Sequence, residues 1–279
     1  MVEIMTNPPT LIIEAGRTER HYWTDLWRYR ELFYFLAWRD VLVRYKQTVL
    51  GVAWAVIRPF LTMVVFTLVF GTLANLPSEN APYPILVFAA LLPWQLFSSG
   101  FSEAGNSLIS NANMISKVYF PRLIVPVSAI IVSLVDFMIS AFILAALLVW
   151  YGFMPDLRIL TLPLFVMMAV LTAMGAGFWT AALSVKYRDF RFIVPFGVQL
   201  GLYISPVGFS SAVVPEQWRM LYSLNPMVGV IDGFRWAILG GNVTLHWNGL
   251  ILSLFVSTLL LSTGVMYFRK LENSFADVI

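Results

Sequence analysis

Fifteen of the eighteen Lys and Arg residues lie in alternate gaps between six long apolar stretches. The remaining gaps hold only Arg158, Arg219 and Arg235. Positive side chains resist transfer across a membrane during insertion, so short Lys/Arg-rich loops stay on the cytoplasmic side. The pattern predicts an all-α integral membrane chain with six transmembrane helices and both termini in the cytoplasm. Charged residues make up 12% of the chain, against roughly a quarter in soluble domains, so lipid must cover what polar side chains do not. The net charge of +3 does not speak for nucleic acid, because the basic residues sit at membrane borders rather than on one soluble face. With no cysteine, disulfides, thiolate catalysis and Cys-ligated metals are excluded. Residues 1–22 contain Glu3, Glu14, Arg17, Glu19 and Arg20 without a continuous apolar core. They do not read as a cleavable signal peptide, which leaves the first span as the insertion signal.

A hydrocarbon core of ~30 Å needs ~20 apolar residues as helix. Spans are expected near 59–76, 84–101, 123–151, 159–185, 192–214 and 250–268, the third long enough to tilt or to project past the membrane. Ahead of them, within 22–38, Trp23, Leu26, Trp27, Phe33 and Leu36 recur at helical spacing, with Asp25, Arg28 and Glu31 on another face. This predicts an amphipathic helix in the cytoplasmic interface, or else one packed on protein. Arg39, Arg44 and Lys46 hold the approach to the first span inside, and Arg58 can snorkel from its edge. The organisation expected is a cytoplasmic N-terminus with its interfacial helix over 1–38, a transmembrane domain over 39–272 and a cytoplasmic tail over 273–279. Between spans five and six, 215–223 and 226–239 each predict a short helix. For the second, Asn225 can cap, Pro226 suits the first helical position, and Gly240-Gly241 terminates it. Asp232 and Arg235 stand three apart and can pair. A re-entrant element and an ordinary external loop both accommodate this pattern.

No GxxxxGK[ST] phosphate loop is present, so the chain does not bind ATP by that mechanism. The two histidines, His21 and His246, lie far apart, and no HExxH or GxSxG occurs. The acids within or near the spans are Glu103 and Asp136. An ionised Asp136 in mid-span costs ~2.5–3.5 kcal/mol on the insertion scale. A pathway or gating residue is one reading of it; with no partner charge evident, a hydrogen bond to a Ser, Thr or Tyr of a neighbouring helix is the simpler one. Two cytoplasmic turns stand out. Over 106–119, polar Asn106, Ser110, Asn113 and Lys117 alternate with apolar Leu108, Ile109, Met114, Ile115 and Val118, predicting a short amphipathic helix ended by Pro121. Over 186–191, Lys186, Arg188, Asp189 and Arg191 put four charges in six residues, for which topology anchoring is the simplest reading.

Four stretches carry a resemblance: RDVLVRYKQTVLGVAWAVIRP (39–59), LLPWQLFSSGFSEAGNSLISNANMISKVYFPR (91–122), VKYRDFRFIVP (185–195) and LNPMVGVIDGFRWAILG (224–240). Together they resemble the membrane subunit of ABC-2 type exporters of polysaccharides and polyol phosphates: the O-antigen, capsule and teichoic-acid permeases. The details are nearest the O-antigen branch. The resemblance implies a homodimer in the bacterial inner membrane with two copies of a separate ATPase. ATP and Mg would be held by that partner and no cofactor by this chain. It implies export of a polyprenyl-diphosphate-linked polysaccharide and contact with membrane lipids, with no nucleic acid involved. It assigns ATPase coupling to Asn111, Asn113, Met114, Ile115, Lys117, Val118 and Tyr119, with Lys186, Arg188 and Asp189 nearby. It makes 215–239, with Pro226, Asp232 and Arg235, re-entrant outer gate helices. Beside it, Arg39, Arg44, Lys46 and Arg58 are candidates for drawing in a diphosphate or anionic headgroup. Trp94, Phe97, Phe101, Trp179 and Tyr203 are candidates for lining a path, since sugars offer flat apolar faces to aromatic rings. Competing readings are an ABC-2 permease for a drug or lipid, an integral membrane glycosyl- or acyltransferase, and a secondary carrier.

Overall fold

Apolar lengths of this kind demand helices, because lipid offers no partner for backbone amides and carbonyls. Every regular element among the described residues is indeed helical. The structure, a computed structural model, describes residues 22–46, 51–78, 81–240, 243–272 and Phe275. The expectations for 1–21, for Gly241 and for most of 273–279 lie outside those residues. The chain runs through α1 (Tyr22–Arg28), α2 (Arg30–Lys46), α3 (Gly51–Phe66, extended by a π-helical turn over Thr67–Leu73) and α4 (Tyr83–Ser110). There follow α5 (Ala112–Ile115), α6 (Ile124–Trp150), α7 (Leu162–Lys186), α8 (Phe190–Ile204), α9 (Glu216–Tyr222), α10 (Pro226–Leu239) and α11 (Trp247–Glu272).

Among the described residues, five helices are long and apolar enough to cross a membrane: Ala53–Leu73, Tyr83–Ser110, Ile124–Trp150, Leu157–Lys186 and Trp247–Glu272. They correspond to the first, second, third, fourth and sixth expected spans. The most apolar part of α4 is 67% buried while those of the others are 17–33% buried, so α4 is the axis around which the rest are arranged. Helices α6 and α7 flank it, and α11 lies on the far side of α7.

The α7–α11 contact depends on missing side chains. A Cβ on Gly175 would lie 2.6 Å from the backbone carbon of Leu260 and the backbone nitrogen of Leu261. On Gly264 it would lie 2.5 Å from the Gly175 carbonyl oxygen. Small residues at such crossings let backbones approach, which is how helices gain packing in a solvent as apolar as their own side chains. The Thr172 and Ser257 hydroxyls, 2.9 Å apart, bond across the same seam.

The fifth expected span differs from 192–214. Helix α8 has 15 residues, ~22 Å of rise, and stops at Ile204. Pro206 is the cause: a residue before proline is pushed out of the helical region, and Ser205 is extended at ψ 152°. The chain then turns through buried Ser205, Pro206, Val207 and Gly208. Irregular backbone at membrane depth survives only where protein satisfies it, and here three consecutive carbonyls are satisfied. Arg235 donates to Val207 O at 3.1 Å and to Phe209 O at 2.7 Å, and the Tyr83 hydroxyl donates to Gly208 O at 2.7 Å.

Arg235 belongs to α10, whose boundaries follow the expected chemistry. The Asn225 side chain accepts from the Met227 amide, Pro226 occupies the first turn, and Gly240 ends the helix at φ +66°. Most of α10 is buried, against α4, α7 and α11. The helix is packed into the bundle rather than standing out as an exposed loop. Helix α9 is its exposed neighbour.

Helix α2 continues unbroken through residue 39 to Lys46. The apolar face expected of 22–38 divides. Leu36 is buried and Leu26 and Phe33 pack on the protein, whereas Trp23, Trp27, Tyr34, Phe35 and Trp38 remain exposed. The segment both docks on protein and presents aromatics outward.

Candidate functional site

The end of the bundle where α4, α7 and α11 finish and α6 and α8 begin carries Lys117, Arg122, Lys186, Arg188, Arg191, Arg269 and Lys270. Helix α2 lies against α6 near this basic end and inserts charge into the bundle. Arg44 places one guanidinium nitrogen 2.7 Å from Asp136 Oδ2 and another 3.0 Å from Glu103 Oε1. The Tyr45 hydroxyl donates to Asp136 Oδ1. Burial, and then that bond to Asp136, raise the Tyr45 pKa above its ordinary value, so Tyr45 is a donor at neutral pH. The tyrosine bond expected for Asp136 is present. The missing partner charge is also present: it comes from Arg44, in a segment whose sequence gives no sign of pairing with α6.

The four basic access candidates therefore separate. Arg39 donates to Asp40 at 2.7 Å and to Asn111 Oδ1 at 2.8 Å, tying α2 to the end of α4. Arg44 is held as above. Lys46 and Arg58 are exposed, and Arg58 lines a cleft of about 360 Å³ between α3, α4 and α6. A second hollow of about 470 Å³ adjoins it through Arg44 and is lined by Arg39, Glu103 and Asn111. Gln95, Ser98, Ser99, Ser133 and Ser140 also line the first cleft. These were not anticipated. Their signal is visible in hindsight, since Ser133, Asp136 and Ser140 recur at helical spacing on α6 and the other three cluster within one turn of α4.

The turn after α4 corrects the amphipathic helix expected over 106–119. Asn106 and Ser110 belong to α4 itself, and α5 has only four residues. Asn111 breaks the helix at φ −109°, ψ 20°, with its side-chain amide bonded back to Ser107 O at 2.9 Å. The facing of the side chains is corrected too. Ile115 and Phe120 are buried with Leu36, Phe178 and Phe268, and Met114 packs against that cluster. Asn113, Lys117, Val118 and Tyr119 are exposed and Met114 is partly so, whereas Ile115 is buried. Lys186, Arg188 and Asp189, at the second turn, are likewise exposed.

Beneath the first turn lies a three-way clasp. Glu272 Oε1, at the end of α11, accepts from the Arg122 amide at 2.7 Å and from the Tyr22 hydroxyl at 3.2 Å. The Arg122 guanidinium reaches the Glu272 carbonyl, and Arg269 lies 4.4 Å over the Tyr22 ring. Burial raises the Tyr22 pKa, and Glu272 raises it further, so the phenol stays a donor. Glu272→Ala should free α1 locally. Hydrogen exchange in Tyr22–Arg28 is expected to quicken roughly tenfold, matching ~1–2 kcal/mol for the lost bonds, with α10 unchanged. Unaltered exchange in α1 would refute the clasp.

The path candidates do not form one lining. Trp94, Phe97 and Phe101 run along α4, with rings 5.4 Å and then 5.8 Å apart. Trp94 is buried against Gly201 of α8. Trp179 is committed elsewhere: it stacks on Tyr267 at 4.2 Å and donates to Thr263 at 3.2 Å. Tyr203 is exposed on α8. Of the gate candidates, Pro226 opens α10, Asp232 is partly exposed, and Arg235 is buried with a third bond to Leu86 O at 3.2 Å.

Comparison with known proteins adds a family and several relatives. Residues 31–239 match the family described as ABC-2 type transporter. The O-antigen export system permease protein RfbA of Klebsiella pneumoniae is 28% identical over 242 residues, covering 86% of this chain and 92% of the relative. RfbA of Myxococcus xanthus is 26% identical over 258 residues, covering 91% and 98%. The polysialic acid transport protein KpsM of Escherichia coli is 22% identical over 241 residues, covering 85% and 92%.

Proposed function

The chain belongs to the ABC-2 type transporter family, and from that premise we propose that it is the permease subunit of an ATP-driven exporter of a cell-surface polysaccharide. The observation that carries this reading is the alignment with O-antigen export permeases along 86% and 91% of the chain. Two copies of this chain pair with two copies of a separate ATPase, which holds the ATP and Mg. The substrate is a polymer on a polyprenyl diphosphate, O-antigen in the proposed case, and the membrane is the bacterial inner membrane with both termini in the cytoplasm.

In this reading the ATPase docks on the basic end. Exposed Lys117, Val118 and Tyr119 form one contact and exposed Lys186, Arg188 and Asp189 a second. ATP-driven closure presses on the first turn. The Arg122–Glu272 clasp and the buried Ile115 and Phe120 pass the movement to α11 and α7. Glycan enters from the basic end, passes exposed Arg58 in the cleft between α3, α4 and α6, and leaves past α9 and α10.

Depleting the protein in its native cell is expected to strand polyprenyl-linked glycan inside while the surface loses it. Unchanged surface glycan in a cell without a redundant exporter would overturn the reading, and loss on both sides would point to a transferase. Coupling is tested separately by Val118→Asp. A carboxylate forced into a protein contact should cut export by about tenfold or more, equivalent to ~1.4 kcal/mol, with the amount of protein in the membrane unchanged. Ile115→Asp should instead lower that amount, because it buries the charge. Normal export by Val118→Asp would place the ATPase contact elsewhere.

A further inference from the structure

Resting on the glycan-export reading, we propose that the cleft between α3, α4 and α6 is a saccharide subsite that holds a neutral sugar unit of the polymer within each subunit. Its volume of about 360 Å³ falls in the range of ~300–1,000 Å³ usual for small-ligand sites. Its lining is what a sugar ring requires. Trp54, 58% exposed, offers an aromatic face to the apolar C–H side of a pyranose. Around it stand hydroxyl and amide groups able to meet the ring hydroxyls, which both donate and accept.

The hydrogen-bond state of that lining points to a ligand. Ser98 and Ser99 donate to the Gln95 carbonyl at 3.3 and 2.6 Å, leaving their oxygen lone pairs to accept. Ser133 is fully buried, and its Oγ has no hydrogen-bond partner among the described residues. A buried hydroxyl without a partner costs free energy, and a sugar hydroxyl reaching Ser133 from the cleft would supply one.

Arg44 and Asp136, both in the lining, are already joined at 2.7 Å, so exposed Arg58 is left to meet an anionic group while the hydroxyls and the Gln95 amide suit a neutral sugar. An acyl chain would waste every hydroxyl in the site. The arrangement separates tasks: Arg58 at the rim faces the anionic linkage while the serines and Gln95 grip the sugar next to it.

The decisive variant is Ser133→Ala, because a structural role and a binding role predict opposite outcomes. Removing an unpartnered buried hydroxyl should leave the melting temperature unchanged or raise it. Removing a sugar contact should weaken binding about three- to tenfold, the loss of one neutral hydrogen bond. The probe is a set of two- to four-sugar fragments made by partial acid hydrolysis of the source cell's own surface polysaccharide. They are titrated into the purified full-length protein in nanodiscs, with inorganic diphosphate in parallel. Gln95→Leu and Trp54→Ala should also weaken fragment binding, and all three variants should slow export in cells. Wild-type binding and export by all three would overturn the subsite, as would binding of diphosphate without binding of any fragment. These failures differ from failure of the export reading, in which depletion of the whole protein leaves surface glycan untouched.

Discussion

Arg235→Ala is expected to cost ~3–5 kcal/mol, from several buried polar groups losing partners at ~1–3 kcal/mol each. The apparent melting temperature should fall by roughly 10 °C or more on the usual scaling for a chain of this size. The guanidinium is 1% exposed and donates to Leu86, Phe209 and Val207, carbonyls from two separate segments. Alanine removes the donors and leaves the acceptors where water and lipid cannot replace them. The break after Ile204 then has no reason to stay folded between α10 and α4. Arg235→Lys keeps the charge but lacks the planar fork of donors, and should recover part of the loss. A melting temperature for Arg235→Ala within about a degree of wild type would show that the turn is satisfied by other means.

The second large effect is at the α7–α11 seam. Gly175→Ala places a carbon 2.6 Å from the backbone of Leu260 and Leu261, and backbone cannot rotate aside as a side chain can. Overpacking of this kind costs ~1–3 kcal/mol and at times more, and Gly175→Leu should prevent stable accumulation altogether. Separating the helices also strains the Thr172–Ser257 bond and the Trp179 stack on Tyr267, so the loss spreads along the seam. Gly197→Ala is the control. A Cβ there meets nothing within 4 Å, and alanine in a helix is favoured over glycine by ~0.5–1 kcal/mol. Thermal melting of the two single-alanine variants decides the matter, and equal behaviour would remove the close crossing.

Length and periodicity carried a good deal of this protein. The caps of α10 were readable because Asn225, Pro226 and Gly240 act on adjacent backbone, and local chemistry is written locally. The break after α8 was readable in principle from Pro206, yet the apolar run continues past it and hides the stop. The turn after α4 is legible as a basic break between helices, but the facing of its side chains is not. Met114 and Ile115 read as an apolar face for a partner, whereas Ile115 fills the cluster with Leu36 and Phe178. Trp179 likewise reads as an aromatic ring free for a sugar, whereas it stacks in the α7–α11 seam.

These differences share a cause. In water, an apolar stripe reveals which side of a helix is buried, but a membrane helix is apolar on the lipid side as well as the protein side, so its rotation leaves little trace in the pattern. The sequence by itself determined what depends on local backbone and transfer from water: helices throughout, the approximate spans, the basic turns and the caps. Only the tertiary structure decided what depends on helix rotation and on partners far along the chain. It joined Arg44 to Asp136, Arg235 to the carbonyls after α8, and Glu272 to Arg122 and Tyr22. A charge inside a membrane must find its partner in three dimensions, and no spacing along one helix says which helix will supply it.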